Sequence, residues 1–198
     1  MLESLERALK EVDTEKIEVL AKAILRCKSS GGRVFLAASG RSLNILRGFA
    51  CRLAMPPISM VTHALCGSTF PPIRQDDLLI VCSSTGYTQY VTDFAKNWRE
   101  INQNIILITS NNDENDPDNT LWRLVDQRIF VKAISKKYKE RRRQRKLEDK
   151  YDIKEDFSKM NTLALRYETE DHFLFEMATK SLLEAVCYEL VNIHQSDR

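Results

Sequence analysis

A run of hydroxyls closes one of the most apolar stretches of the chain. Leu78-Leu79-Ile80-Val81-Cys82 is followed by Ser83-Ser84-Thr85-Gly86-Tyr87-Thr88. A second turn of similar character, Ser39-Gly40-Arg41-Ser42, follows the apolar run Val34 to Ala38. Each turn leads into an amphipathic stretch with helical spacing. The first N–H groups of a helix lack partners, and its dipole favours anions there. Serine and threonine hydroxyls add donors that can turn toward phosphate oxygens. A single serine before a helix serves well as an N-cap, worth about 1 kcal/mol. Ser-Ser-Thr-Gly-x-Thr is more than capping needs and reads as a phosphate cradle. The phosphate is not expected to belong to a nucleotide. A Walker loop needs Gly-Lys-Ser/Thr, and this turn has no lysine. A dinucleotide fingerprint needs three spaced glycines, whereas the first turn has Gly40 alone beside bulky Arg41 and Leu43.

Elements must hold those turns in place. Residues 3 to about 28 have helical periodicity, with Asp13-Thr14 marking the start of a second helix and Ser29 to Gly32 its end. Short apolar runs at Val34–Ala38, Ile58–Val61, Leu78–Cys82, Asn104–Thr109 and Arg128–Val131 read as five strands. Helical patterns lie between them, on Leu46, Phe49, Ala50, Leu53 and Ala54, then on Val91, Phe94, Ala95 and Trp98, then on Leu121, Leu124 and Val125. A last helix is expected over about 171–193, its core face built from Phe175, Ala178, Leu182, Ala185, Val186 and Leu190. Strands alternating with helices predict a parallel sheet covered on both faces, an α/β three-layer sandwich. In such sheets ligands bind beyond the carboxyl ends of the strands, where both hydroxyl turns fall.

The 198 residues suit one domain, and 43% hydrophobic with 29% charged residues is ordinary for a globular chain. A net charge of +2 does not by itself call for nucleic acid or membrane. No run approaches the ~20 apolar residues of a bilayer span. The acidic start MLESLERALKEVD does not read as a signal peptide, so a cytoplasmic location is expected. The five cysteines (Cys27, Cys51, Cys66, Cys82, Cys187) are scattered without a C-x-x-C pair, and His63, His172 and His194 lack metal-ligand spacing. Neither a metal nor another cofactor is expected.

Taken in order, these segments resemble the sugar isomerase (SIS) family, and within it the 6-phospho-3-hexuloisomerases. "AASGRS" is similar to that family's Gly-Ala-Gly-Arg-Ser turn. "DDLLIVCSSTGYT" is similar to its acidic pair, strand and Ser-x-Ser-Gly-x-Thr, with Thr85 replacing the second serine. "NIILITSN" resembles the next strand and turn, and "HFLFEMATKSLLEAVCYEL" the closing helix, which in the family begins Thr-Leu-Phe-Glu. The resemblance implies a flavodoxin-like SIS fold with a five-stranded parallel sheet. It implies one SIS domain over 1–198, with a helical N-terminal pair at 1–30 and a charged insertion at about 132–160. It implies a phosphosugar isomerase, converting 3-hexulose 6-phosphate to fructose 6-phosphate through an enediolate, that assembles as a homodimer or homotetramer.

The implied substrate-binding residues are Ser39, Gly40, Arg41 and Ser42 in the first turn, and Ser83, Ser84, Thr85, Gly86 and Thr88 in the second. Glu176 matches the family's candidate base, acting within one subunit or across an interface. A carboxylate whose pKa is raised by burial can remove a proton next to a carbonyl. Glu176 could equally be a solvated helix residue or a first-turn dipole partner. His63, placed in the loop after the second strand, is either a group that polarises the sugar or incidental. Ser84, Tyr87 and Ser39 depart from the family's turns, and Cys66-Gly67-Ser68-Thr69 lacks its usual glutamate.

Between Lys132 and Lys146 stand nine Lys or Arg and one acid, Glu140, after which acids return. That mixture fits a solvated face better than a nucleic-acid contact, since only Tyr138 and Tyr151 are interleaved for stacking. Two alternatives to the isomerase stay open: a protein of the same fold that senses a phosphosugar without turning it over, and a nucleic-acid-binding or scaffold protein that uses the basic arm.

Overall fold

A computed structural model describes residues 14–65, 70–113, 119–125, 127–133 and 162–196. For 162–171 it gives the backbone alone. The first N-terminal helix, the Cys66–Thr69 segment, part of the polar loop near 114–118 and most of the basic run lie outside the described residues. In chain order the elements are α1 (Thr14–Ser29), β1 (Val34–Ala38), α2 (Gly40–Ala54), β2 (Thr62–Ala64) and β3 (Leu78–Cys82). Then come α3 (Gln89–Ile101), β4 (Ile105–Thr109), α4 (Thr120–Leu124), β5 (Gln127–Phe130) and α5 (Thr162–Ser196).

All five strands pair in parallel in the order β2-β1-β3-β4-β5. The side chains of β1, β3 and β4 alternate between two cores, as pleating requires. Val34, Leu36, Ala38, Leu78, Ile80, Cys82, Ile106 and Ile108 face α1, α2 and α5. Phe35, Ala37, Leu79, Val81, Ile105 and Leu107 face α3 and α4. Every residue of β1, β3 and β4 is buried, which is why these strands read as unbroken apolar runs. The chain is therefore an α/β three-layer sandwich, as its sequence predicts.

Two expectations need correction. Ile58–Val61 is not the second strand. Ser59 has φ of 47°, and the Met60 N–H bonds Leu53 O, so Ile58 and Met60 fold back to close the end of α2. The ladder starts where the Val34 N–H reaches Val61 O, and β2 itself is Thr62–Ala64. The closing helix also starts earlier than expected, at Thr162. On it Phe175, Ala178, Leu182, Val186 and Leu190 are buried, with Leu183 and Cys187 joining them, while Ala185 stays half-buried.

The amino end of the sheet is held by one buried ion pair. Asp77 is fully buried, and its carboxylate accepts from the Arg33 N–H (2.9 Å), Nε (3.1 Å) and Nη2 (2.6 Å) and from the Arg74 N–H (2.8 Å). Burial pushes its pKa up, but the hydrogen bonds from Arg33 and Arg74 outweigh that and hold it below the ordinary carboxylate value. Asn102 Nδ2 donates to the carbonyls of Arg74, Gln75 and Asp77, fixing the entry into β3 from the end of α3.

Candidate functional site

The sheet brings the two hydroxyl turns together. β1 and β3 are neighbours, with Ala38 in register with Cys82, so Ser39 and Ser83 leave adjacent strands at the carboxyl edge. The strand order reverses direction between β1 and β3, which is where doubly wound sheets open a crevice.

Ser39 is the N-cap residue of α2 and Thr88 that of α3, yet neither side chain makes a capping hydrogen bond. No acidic residue occupies the first turn of either helix. The hydroxyls are thus not spent on capping. Gly40, with φ of 57°, takes a left-handed turn that lets α2 start immediately after β1.

The β3 turn is braced from below. Ser83 is buried; its Oγ accepts from the Gly86 N–H at 3.1 Å and lies 3.2 Å from Thr88 Oγ1. The Ser84 carbonyl accepts from the Ser110 N–H (3.1 Å) and Thr109 Oγ1 (3.4 Å) at the end of β4. Asn111 Nδ2 donates to Thr85 O and to the Tyr87 hydroxyl, both at 3.0 Å. Thr85 Oγ1 accepts from the Tyr87 N–H at 3.4 Å. Gly86 has φ of 77°, and a Cβ there would stand 2.2 Å from Asn119 Oδ1, so no other residue fits without moving Asn119. Asn119 in turn caps α4 by accepting from the Trp122 N–H.

Helix α5 supplies the third wall. Arg41 Nε lies 2.7 Å from Glu176 Oε1, joining the β1 turn to the closing helix. Glu176 is not enclosed in an apolar pocket: its side chain keeps 18% of its exposure and its partner is a guanidinium. One turn earlier on the same helix, His172 Nδ1 lies 3.5 Å from Ser84 Oγ. Beneath the mouth, burial pushes the Cys82 thiol up to about 12. Cys82 is a packing residue there, not a thiolate nucleophile.

His63 stands elsewhere. It belongs to β2 and not to a loop, in register with Phe35 three residues before β1 ends. Its ring packs 4.9 Å from that of Phe35, on the sheet face opposite α5, and Nε2 is buried with no hydrogen-bond partner. Burial, aided by the Arg33 charge, lowers its pKa. The structure brings Ser39 to Ser42, Ser83 to Thr88 and Glu176 to one edge and leaves His63 out. His172, Asn111 and Asn119 join that edge without having been singled out in the sequence. Their partners are far away in the chain (Ser84 is 88 residues from His172), so no local spacing marks them.

In fold and in sequence the chain is similar to sugar isomerases. No family model matches the chain. Its sequence is similar to 3-hexulose-6-phosphate isomerases: it is 34% identical to the one from Mycobacterium gastri over 126 residues, 64% of this chain and 58% of that protein. The chain thus spans less than two thirds of the length of that relative. A Methanococcus jannaschii crystal structure from which 3-hexulose-6-phosphate isomerase function was inferred superposes with a TM-score of 0.65 at 23% identity, over 98% of this chain and 90% of that one. The Vibrio vulnificus NanR protein complexed with ManNAc-6P superposes with a TM-score of 0.62 at 14% identity, over 98% of this chain and 61% of that one.

Proposed function

We propose that the chain is a phosphosugar isomerase that interconverts 3-hexulose 6-phosphate and fructose 6-phosphate. The phosphate sits on the Ser83–Thr88 turn and the free amides of the first turn of α3. Glu176 is the base. It takes the proton from C2 of the 3-ketose, leaving an enediolate across C2 and C3. The same proton, or one from solvent, is delivered to C3, and the hydroxyl proton passes from O2 to O3, giving the 2-ketose. The redox state of the sugar as a whole is unchanged, so the chemistry calls for no cofactor.

One observation carries this reading: Arg41 of the β1 turn holds the Glu176 carboxylate at 2.7 Å, at the edge that the β3 turn shares. Arg41, freed when substrate arrives, is placed to stabilise the developing enediolate oxygen. The same ion pair favours a second reading, a phosphosugar sensor whose carboxylate stays neutralised by Arg41. Exchange of carbon-bound hydrogen separates the two. Fructose 6-phosphate incubated with the protein in heavy water should gain deuterium at C3, and Glu176→Gln should slow that by about 10²–10⁴-fold. Tight binding without exchange in the unaltered protein would leave the sensor.

The proposal extends to a single SIS domain over 1–198, a cytoplasmic location and a homodimer or homotetramer. The support for assembly is exposed apolar surface on α5, at Phe173 and Tyr188. No helix among the described residues is long and apolar enough to cross a membrane.

A further inference from the structure

The β3 turn offers hydroxyls and amides but no cation. Ser83 to Thr88 contains neither lysine nor arginine. Arg41, the guanidinium of the neighbouring turn, is engaged with Glu176. A phosphomonoester brings about −1.5 to −2 charges at neutral pH. Neutral donors hold such an ion less tightly than charge-assisted ones.

We propose that His172 is a phosphate-binding residue of this site, its imidazole sharing a phosphate oxygen with the Ser84 hydroxyl. The inference rests on the phosphosugar reading and adds a ligand group to it. His172 lies on α5, with Nδ1 already 3.5 Å from Ser84 Oγ. That is long for a hydrogen bond. Contacts of this kind tighten when the ligand arrives.

The helix also sets a distance. His172 and Glu176 are four residues apart and lie on one face of α5. Each touches a different turn: His172 the β3 turn, Glu176 the β1 turn. Four residues of helix advance roughly 6 Å, about the reach of the five bonds from the phosphorus of a 6-phosphate to C3 of an open-chain hexulose. With the phosphate at His172 and Ser84, the reacting carbons fall beside Glu176. The family's phosphate turn alone says nothing of this spacing; the single rigid element that carries both groups does.

The test is calorimetric binding of inorganic phosphate and of fructose 6-phosphate to the full chain, unaltered and as His172→Gln. Glutamine keeps a donor near Ser84 but can carry no charge. Both ligands should bind about tenfold more weakly to the variant, by equal factors. A second measurement stands without the variant: in proton NMR of the unaltered protein with sequence-specific assignment, inorganic phosphate should shift the His172 ring signals and not those of His63 or His194. The inference is overturned if His172→Gln binds both ligands as well as the unaltered protein and the ring signals do not move. It is also overturned if the substitution lowers kcat and leaves phosphate affinity intact, for then His172 acts at the reacting carbons. These results are separable from the function itself. Phosphate binding through His172 without isomerisation would sink the isomerase and keep the inference. Turnover that ignores His172 would do the reverse. Failure to bind either ligand would sink both.

Discussion

Asp77→Asn is the sharpest test of how the sheet is anchored. The substitution keeps size and shape and removes one charge. Asparagine can still offer Oδ1 to the Arg33 N–H and Nε, at the 2.9 and 3.1 Å positions. Its Nδ2 would then stand where Oδ2 accepts from Arg33 Nη2 at 2.6 Å and the Arg74 N–H at 2.8 Å. Two hydrogen bonds become donor–donor contacts, and an Arg33 side chain only 11% exposed loses its counter-ion. Hydrogen bonds to charged groups contribute about 1.5–3 kcal/mol each, and breaking one side of a buried pair costs about 3–5 kcal/mol, so a loss of that size is expected. That is a large share of the ~5–15 kcal/mol of an ordinary domain. Urea unfolding followed by circular dichroism measures it. The pH dependence gives a second handle. Asp77 has a folded pKa below its unfolded value, so its contribution is present above the unfolded value of about 4 and is lost as pH falls through the folded one. The gap between the two proteins should be full at pH 7 and narrow below about pH 4. A difference under about 1 kcal/mol at pH 7, or one that does not change on acidification, would refute the reasoning. Replacing Arg33 and Asp77 together by leucine should cost less than the single change, because no orphaned charge remains.

Other outcomes follow from the same geometry. Gly86→Ala should cost about 2–3 kcal/mol in denaturant melts, combining a left-handed backbone with displacement of the Asn119 cap, and should weaken phosphate binding as well. His63→Phe should keep whatever deuterium exchange the unaltered protein shows with fructose 6-phosphate, because the ring lies away from the turns. It should also remove a source of acid sensitivity: the folded pKa of His63 is lowered, so its contribution is present above the unfolded value of about 6.5 and lost as pH falls through the folded one. An aromatic disulfide reagent at pH 8 should label Cys51, the exposed one of the described thiols, well before Cys27 and Cys82, whose pKa values burial raises to about 11 and about 12; mass spectrometry of the digested protein reads the order.

The fold was legible wherever burial made sequence uniform. β1, β3 and β4 are buried on both faces, so a run of four or five apolar residues announces each of them. β2 was not legible, because an edge strand half open to solvent reads Thr-His-Ala, while the apolar Ile58 and Met60 beside it serve the end of a helix. The hydroxyl turns could be read from composition alone, since a hydroxyl run after a buried strand is locally unusual. Glu176 could be singled out only by likeness to a family, for nothing in its neighbourhood differs from an ordinary helix carboxylate until Arg41 is seen 2.7 Å away. Arg33 and Asp77 lie 44 residues apart and His172 and Ser84 twice that, and such pairs exist only after the chain has folded. The misplaced His63 shows the same limit from the other side: a histidine assigned to a loop turned out to pack on a phenylalanine in a strand.

The edge that collects these groups draws on segments widely separated in the chain. Its hydroxyl turns are made early, at residues 39 to 42 and 83 to 88, and its carboxylate arrives with α5, which starts at Thr162. Without α5 the two turns would stand at the edge with no Glu176 carboxylate beside Arg41. Whatever loosens α5 from α1 and α2 therefore also takes the carboxylate away from the turns.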